Sequence, residues 1–409
     1  MRKALDLFRH EHDARLFFLA HAQSSLGTGA AYVGLVVLAY DRYRSPWAIT
    51  AVLLAEFMPG MVLGPLLGAA ADRWSRRLCA VVADVVNAAA FVAIATVDDF
   101  TLTIAFATAA GAANGLYRPA ILAALPGLVQ RERADTATAV FGSFTDVGYT
   151  VGPALAAAAL LVADAELLMF VNGVTFALSA LLLSRLTFGA VAAPGGTRPS
   201  LFREAAEGLR VAARRRGART VILASSAIVM FAGLFNVGEL LLAEGELGAG
   251  GTGYAVLVAV YGAAVAVGSM TGSRGGTIPE LARNFSAAIL LVGVGMVGAG
   301  LAPTFPVALG TFAVAGFGNG LVVVHERLLL QRTVPDALLG RVFGVGETLG
   351  SWAFGFAFVA GGAIASLVGT RELLVTAGVG VLVVWAVSAF TASRAFADAP
   401  DAGEPISRP

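Results

Sequence analysis

The sequence predicts an all-α membrane protein of twelve transmembrane helices in two pseudo-symmetric six-helix bundles. Three observations carry that prediction: a composition too apolar for water, a train of apolar runs of membrane-spanning length, and an internal echo half a chain apart. Of 409 residues, 57% are hydrophobic and 13% charged, and mean hydropathy is +0.79. A soluble domain carries about a quarter of its residues as charges, so the bilayer is the solvent this composition fits. Net charge is +1, which leaves no basic field for nucleic acid. The single cysteine, Cys79, excludes an internal disulfide and reads as a small hydrophobe.

The runs cover 16–40, 47–71, 77–97, 100–128, 135–162, 166–189, 219–243, 252–273, 284–302, 304–330, 339–367 and 371–393. Each is long enough to cross ~30 Å of hydrocarbon. Their hydrophobicity is continuous rather than alternating, which predicts helices and not barrel strands. With the N-terminus placed inside, the loops on the opposite side hold only Arg42, Arg44 and Arg371 of the 28 lysines and arginines, while Asp98, Asp99, Asp164, Glu166, Glu244 and Glu246 gather there. That asymmetry predicts a bacterial-type cytoplasmic membrane, both termini cytoplasmic. The first 15 residues are charged and show no signal-peptide pattern.

The longest loop opens as AVAAPGGTRPS, a turn-rich stretch, and continues as LFREAAEGLRVAARRRGART. In the latter, Leu201, Phe202, Ala205 and Leu209 share a helical face opposite arginines, predicting an interfacial helix on the cytoplasmic leaflet. The expected organisation is a bundle over 1–189, a linker over 190–218, a second bundle over 219–393 and a tail over 394–409. The bundles echo each other: Gly-x-x-Asn-Gly-Leu begins at residue 111 and again at residue 316, an offset of 205, and each copy leads to a basic loop and a Val-Phe-Gly restart. A parallel repeat of six-helix units is a transporter architecture.

The sharpest motif lies between the second and third runs: Gly68, Asp72, Arg73, Arg76 and Arg77. It resembles the Gly-x-x-x-Asp-Arg-x-Gly-Arg-Arg/Lys signature of the major facilitator superfamily, with Ser75 where glycine is usual. Gly60, Gly64 and Gly68 form a small-residue ladder suited to close helix packing. Asp72 is placed to face the N-terminus of another helix, which the resemblance identifies as the eleventh, beginning near Gly340. Arg73, Arg76 and Arg77 are expected to pair with acids such as Glu132 and Asp135, and the resemblance implies a conformational latch. Further residues resemble the branch containing bacterial macrolide-efflux and enterobactin-exporter proteins: Gln23 to Gly27, Asp84, Pro119 with Pro126, Glu207 to Arg210, and Pro335 with Gly340 to Phe343. Gly148, Gly152 and Pro153 resemble the antiporter motif of drug exporters, with alanines at 156 and 157 where it closes on glycine. Thr28 and Asn87 stand where many relatives carry an acid and an arginine.

Charges inside the apolar runs need a reason, because each costs ~2.5–3.5 kcal/mol on insertion scales. They are Glu56, Asp84, Arg118, Asp146, Glu239, His325, Glu326, Arg327 and Glu347. Arg118 and Asp146 lie ~15–18 Å from one end of adjacent helices, a depth at which they could pair. A carboxylate held out of water can exchange a proton near neutral pH, so Glu56, Asp146, Glu326 and Glu347 are the proton-coupling candidates. Arg118, Asp84 and His325 are the substrate or ion-pair candidates. Glu239 is expected near the outer, wet end of its helix. Phe57, Phe141, Phe144, Phe231, Phe235 and Trp352 are aromatics that could line an apolar cavity. No phosphate-binding loop or metal cluster is present; His10 and His12 sit in a charged terminal segment.

The expected function is secondary transport by alternating access: a monomer in the lipid bilayer that exports a small amphipathic molecule against protons. No cofactor, metal, enzymatic step or nucleic-acid partner is expected. The alternatives are a uniporter or importer without proton coupling, and a polytopic receptor that moves nothing.

Overall fold

The computed structural model describes residues 12–129, 133–186, 201–272 and 276–395, with a few side chains inside those ranges left undescribed. Among the described residues the chain forms α1 (His12–Tyr43), α2 (Pro46–Arg73), α3 (Arg76–Thr96), α4 (Phe100–Leu128), α5 (Ala134–Ala159) and α6 (Ala165–Ser184). A short helix, α7 (Leu201–Arg214), follows. Then come α8 (Arg216–Leu241), α9 (Gly250–Gly272), α10 (Ile278–Gly300), α11 (Phe305–Thr333), α12 (Asp336–Val368) and α13 (Thr370–Ala395). Twelve of these exceed a bilayer's requirement of about 20 residues or meet it. Ten are also apolar enough to count as candidate spans; α4 and α5 are the other two.

Helix ends follow local chemistry. Ser75 accepts from the Leu78 amide to start α3, and Asp99 accepts from Leu102 at 2.9 Å to start α4. Thr277 and Glu280 form a capping box at the head of α10. The chain from α8 runs on through one π-helical turn, Leu242–Glu246, and positive φ values at Gly248 and at Gly250, the first residue of α9, turn it into that helix.

Two compact units result. One holds residues 1–195 with 250–259, the other 196–249 with 260–409. In the first, α1 packs on α5 and α6, α3 packs on α4 and α6, and α2 packs on α4. In the second, α8 packs on α12 and α13, and α10 packs on α11 and α13. The pairing is the same after a shift of seven helices. The repeat offset holds at atomic detail: a Cβ on Gly111 would run into the Glu56 carbonyl oxygen, and one on Gly316 would run into the Tyr261 carbonyl oxygen. Both pairs are 205 apart, so the echo in sequence is an echo of one main-chain crossing.

Helix α7 packs on α12 and α8, and Glu207 pairs with Arg341 of α12 at 2.8 Å. Both residues had been singled out in separate motifs; the fold brings them together. Leu209 is exposed and Ala212 buried. Residues 190–200 of the linker and 396–409 of the tail lie outside the described residues, as do the side chains of Leu201, Phe202 and Ala205.

Candidate functional site

The first unit holds a polar set on α2, α4 and α5. Glu56 lies ten residues into α2, ~15 Å along the helix and so near mid-span. Its side chain is buried at 7% exposure, and Oε2 has no hydrogen-bond partner. Tyr149 on α5 stands within electrostatic range of both Glu56 and Arg118. Arg118 and Asp146 are exposed on the unit's surface. They form no ion pair, contrary to the expectation from their matched depths. Depth fixes position along a helix axis but not the direction a side chain points. Here it is Tyr149, one turn on from Asp146, that keeps company with Arg118.

Asp84, a substrate or ion-pair candidate, lies elsewhere in the unit. It is buried in the unit's core at 1% exposure, beside Ser179 of α6, with Tyr117 of α4 in electrostatic range. No cation pairs with it among the described residues, and its Oδ2 is unpartnered. Asn87, one turn on, donates to Asn114 Oδ1 at 3.0 Å and so joins α3 to α4. His21 on α1 is also engaged: its Nε2 contacts Thr145 Oγ1 at 3.0 Å, and its ring stacks on Phe141 at 4.1 Å.

In the second unit the reading of Glu239 is corrected. It is 5% exposed, not wet. Tyr261 on α9 is in electrostatic range of it, with the Asn319 carboxamide against the phenol. Tyr261 and Asn319 sit 205 residues after Glu56 and Asn114, so repeat-related positions carry polar side chains in both units. That correspondence was available in the sequence as a signal. His325 is buried and hydrogen-bonds through Nδ1 to the Leu321 carbonyl at 2.7 Å. Glu326 lies beside Ser225 of α8 and Arg327. Glu347 is exposed and forms no ion pair among the described residues.

Of the expected latch, the side chains of Gly68, Asp72 and Arg73 lie outside the described residues, as do those of Glu132 and Asp135. Arg76 donates to Ala123 O at 2.7 Å and Arg77 donates to Ser184 O. A guanidinium near helix C-termini meets the negative ends of their dipoles, and the two arginines tie α3 to both of its neighbours. The glycine ladder is partly engaged. A Cβ on Gly60 would sit tightly against the Gly111 carbonyl oxygen at 3.2 Å, whereas a Cβ on Gly64 would meet open space. Gly148 and Gly152 face the α1 main chain at Ser25 and Gly29, with no room for a side chain. Pro153 is buried beside them. Among the aromatics, Phe141 and Phe235 are core residues and Trp352 is 66% exposed.

The comparisons agree with this architecture. The chain is 25% identical over 402 residues to the multidrug efflux pump Tap of Mycolicibacterium fortuitum, covering 92% of this chain and 94% of that one. It is 21% identical over 372 residues to macrolide efflux protein A of Streptococcus pyogenes, covering 87% and 90%. Among solved structures it resembles a POT family transporter in complex with 5-aminolevulinic acid, with a TM-score of 0.73 at 11% identity, covering 95% of this chain and 97% of that one. The family model of the Major Facilitator Superfamily matches residues 17–358. With the paired six-helix units and a match over most of its length, this chain belongs to the major facilitator superfamily and is a multi-pass membrane transporter.

Proposed function

We propose that the protein exports a small amphipathic compound across a bacterial-type cytoplasmic membrane in exchange for protons, by alternating access and as a monomer with both termini cytoplasmic. The efflux relatives support export, and the crowding of arginines on one side supports the orientation. The observation that carries proton coupling is the Glu56 carboxyl group: near mid-span, buried, one oxygen without a partner and no cation paired to it. A carboxylate kept in hydrocarbon at a cost of several kcal/mol, with no structural ion pair to justify it, is a functional group. Glu239, like Asp84, is a further buried carboxyl, and Asp146, Glu326 and Glu347 remain carriers to test. Arg118, beside Tyr149, would meet an anionic part of the cargo or of the site. Residues 68–77 would govern the switch between states.

The test is uptake of a macrolide into inverted proteoliposomes under an imposed proton gradient. Wild type is expected to accumulate the compound and to stop when an ionophore collapses the gradient. Glu56→Gln is expected to lose gradient-driven accumulation while keeping macrolide counterflow. Accumulation by Glu56→Gln at the wild-type level would remove Glu56 from the mechanism. Wild-type flux indifferent to the ionophore would replace antiport by uniport.

A further inference from the structure

The second unit carries a groove that the transport reading does not use. It runs between α8 and α13, with a volume of about 470 Å³, within the range of small-molecule sites. One end is basic: Arg216 and Arg219 lie there with the Thr220 hydroxyl. The rest is apolar, with Leu223, Val383, Val387 and Phe390 each more than half exposed. Arg219 donates only to the Ala213 carbonyl, at 3.3 Å, and Arg216 makes no hydrogen bond or ion pair among the described residues.

The dimensions match a lipid. From Arg216 to Ala227 the groove follows eleven residues of α8, ~16 Å. One leaflet's share of a ~30 Å hydrocarbon core is ~15 Å. The basic end therefore falls at headgroup depth and the apolar floor at acyl-chain depth. Two unneutralised arginines in that position are a site for phosphate, since basic pockets between transmembrane helices bind anionic headgroups. The geometry points to a bound anionic phospholipid: its phosphate sits on Arg216 and Arg219, and one acyl chain lies along the α8–α13 groove.

Native mass spectrometry of the full chain with mixed phosphatidylglycerol and phosphatidylcholine decides the point. Wild type is expected to retain phosphatidylglycerol preferentially, and soluble glycerol phosphate is expected not to displace it. Arg216→Gln with Arg219→Gln should lower retention about thirtyfold. Ala227→Phe, which fills the deep end and leaves both arginines in place, should lower it as well. Equal retention of the two lipids by wild type overturns the proposal without reference to any variant. So does full displacement by glycerol phosphate, which would mark a soluble-anion site. Loss of macrolide flux in the double variant with lipid retention unchanged would make the groove part of the cargo's path and overturn it too.

Discussion

Arg42 and Arg371 grip the same place in the two units from opposite helices. Arg42, at the end of α1, donates to the carbonyls of Ile94, Ala95 and Val97 at the end of α3, and pairs with Glu166 of α6 at 3.1 Å. Arg371, at the start of α13, donates to Gly300 and Ala302 at the end of α10, and pairs with Glu246 at 2.7 Å. Ala95 and Val97 lie 205 residues before Gly300 and Ala302, and Glu166 lies 205 before Arg371. The ion pair is thus reversed in sign between the units while the carbonyls it serves are kept.

The reversal predicts a tolerated exchange. Arg42→Glu alone leaves three carbonyls without their donor and sets two acids together, at a cost of about 1–3 kcal/mol. Arg42→Glu combined with Glu166→Arg places an arginine at the equivalent of Arg371, with its acid one residue on from Asp41, the equivalent of Glu246. Thermal unfolding in detergent should show the double variant recovering most of the loss. A double variant no better than the single would mean the clamp depends on its local loop geometry.

The α1–α5 crossing should be intolerant of bulk. Gly148→Leu and Gly152→Leu each force a side chain into the α1 main chain, an overpacking cost of about 1–3 kcal/mol or more. Gly64→Ala, which enters open space, should leave yield and monodispersity on gel filtration unchanged. Equal behaviour of Gly64→Ala and Gly152→Leu would contradict the packing described.

Asp84→Asn should be neutral or stabilising in the resting protein. The carboxyl group is buried without a cation, and a neutral isostere avoids a desolvation cost of several kcal/mol when the acid is charged. Unfolding temperature in detergent is the measurement. A drop as large as that of Arg42→Glu would reveal a partner for Asp84.

Glu207→Ala should loosen α7 from α12 with little effect on global stability, because a half-exposed pair contributes about 0–1 kcal/mol. A spin label at Arg210 should become more mobile in the variant than in wild type. Unchanged mobility would assign the docking to apolar contacts alone.

Much of this architecture is legible in the sequence, because backbone satisfaction in lipid leaves helices as the solution for continuous apolar runs. The repeat was legible too, and Gly111 and Gly316 show why: a main-chain crossing admits no side chain, so the residue type is dictated. What escaped reading depends on rotation about helix axes. Arg118 and Asp146 share a depth but are not brought together. Glu239, two residues from the end of α8, looked wet by position and is buried by its neighbours. Arg42 and Arg371 read as sparse loop charges, since no linear pattern announces that a distant helix ends in front of them. Arg76 and Arg77 found carbonyls, which every helix offers and no residue type advertises.

The Glu56 main chain is wedged against Gly111 while its carboxyl group keeps a free oxygen. On the proposed proton exchange at Glu56 the helix need not slide, since the backbone seat is indifferent to the charge of the side chain. The side chains in electrostatic range, Tyr149 and through it Arg118, are the ones placed to respond. The stiff helix becomes the fixed support against which those two can turn.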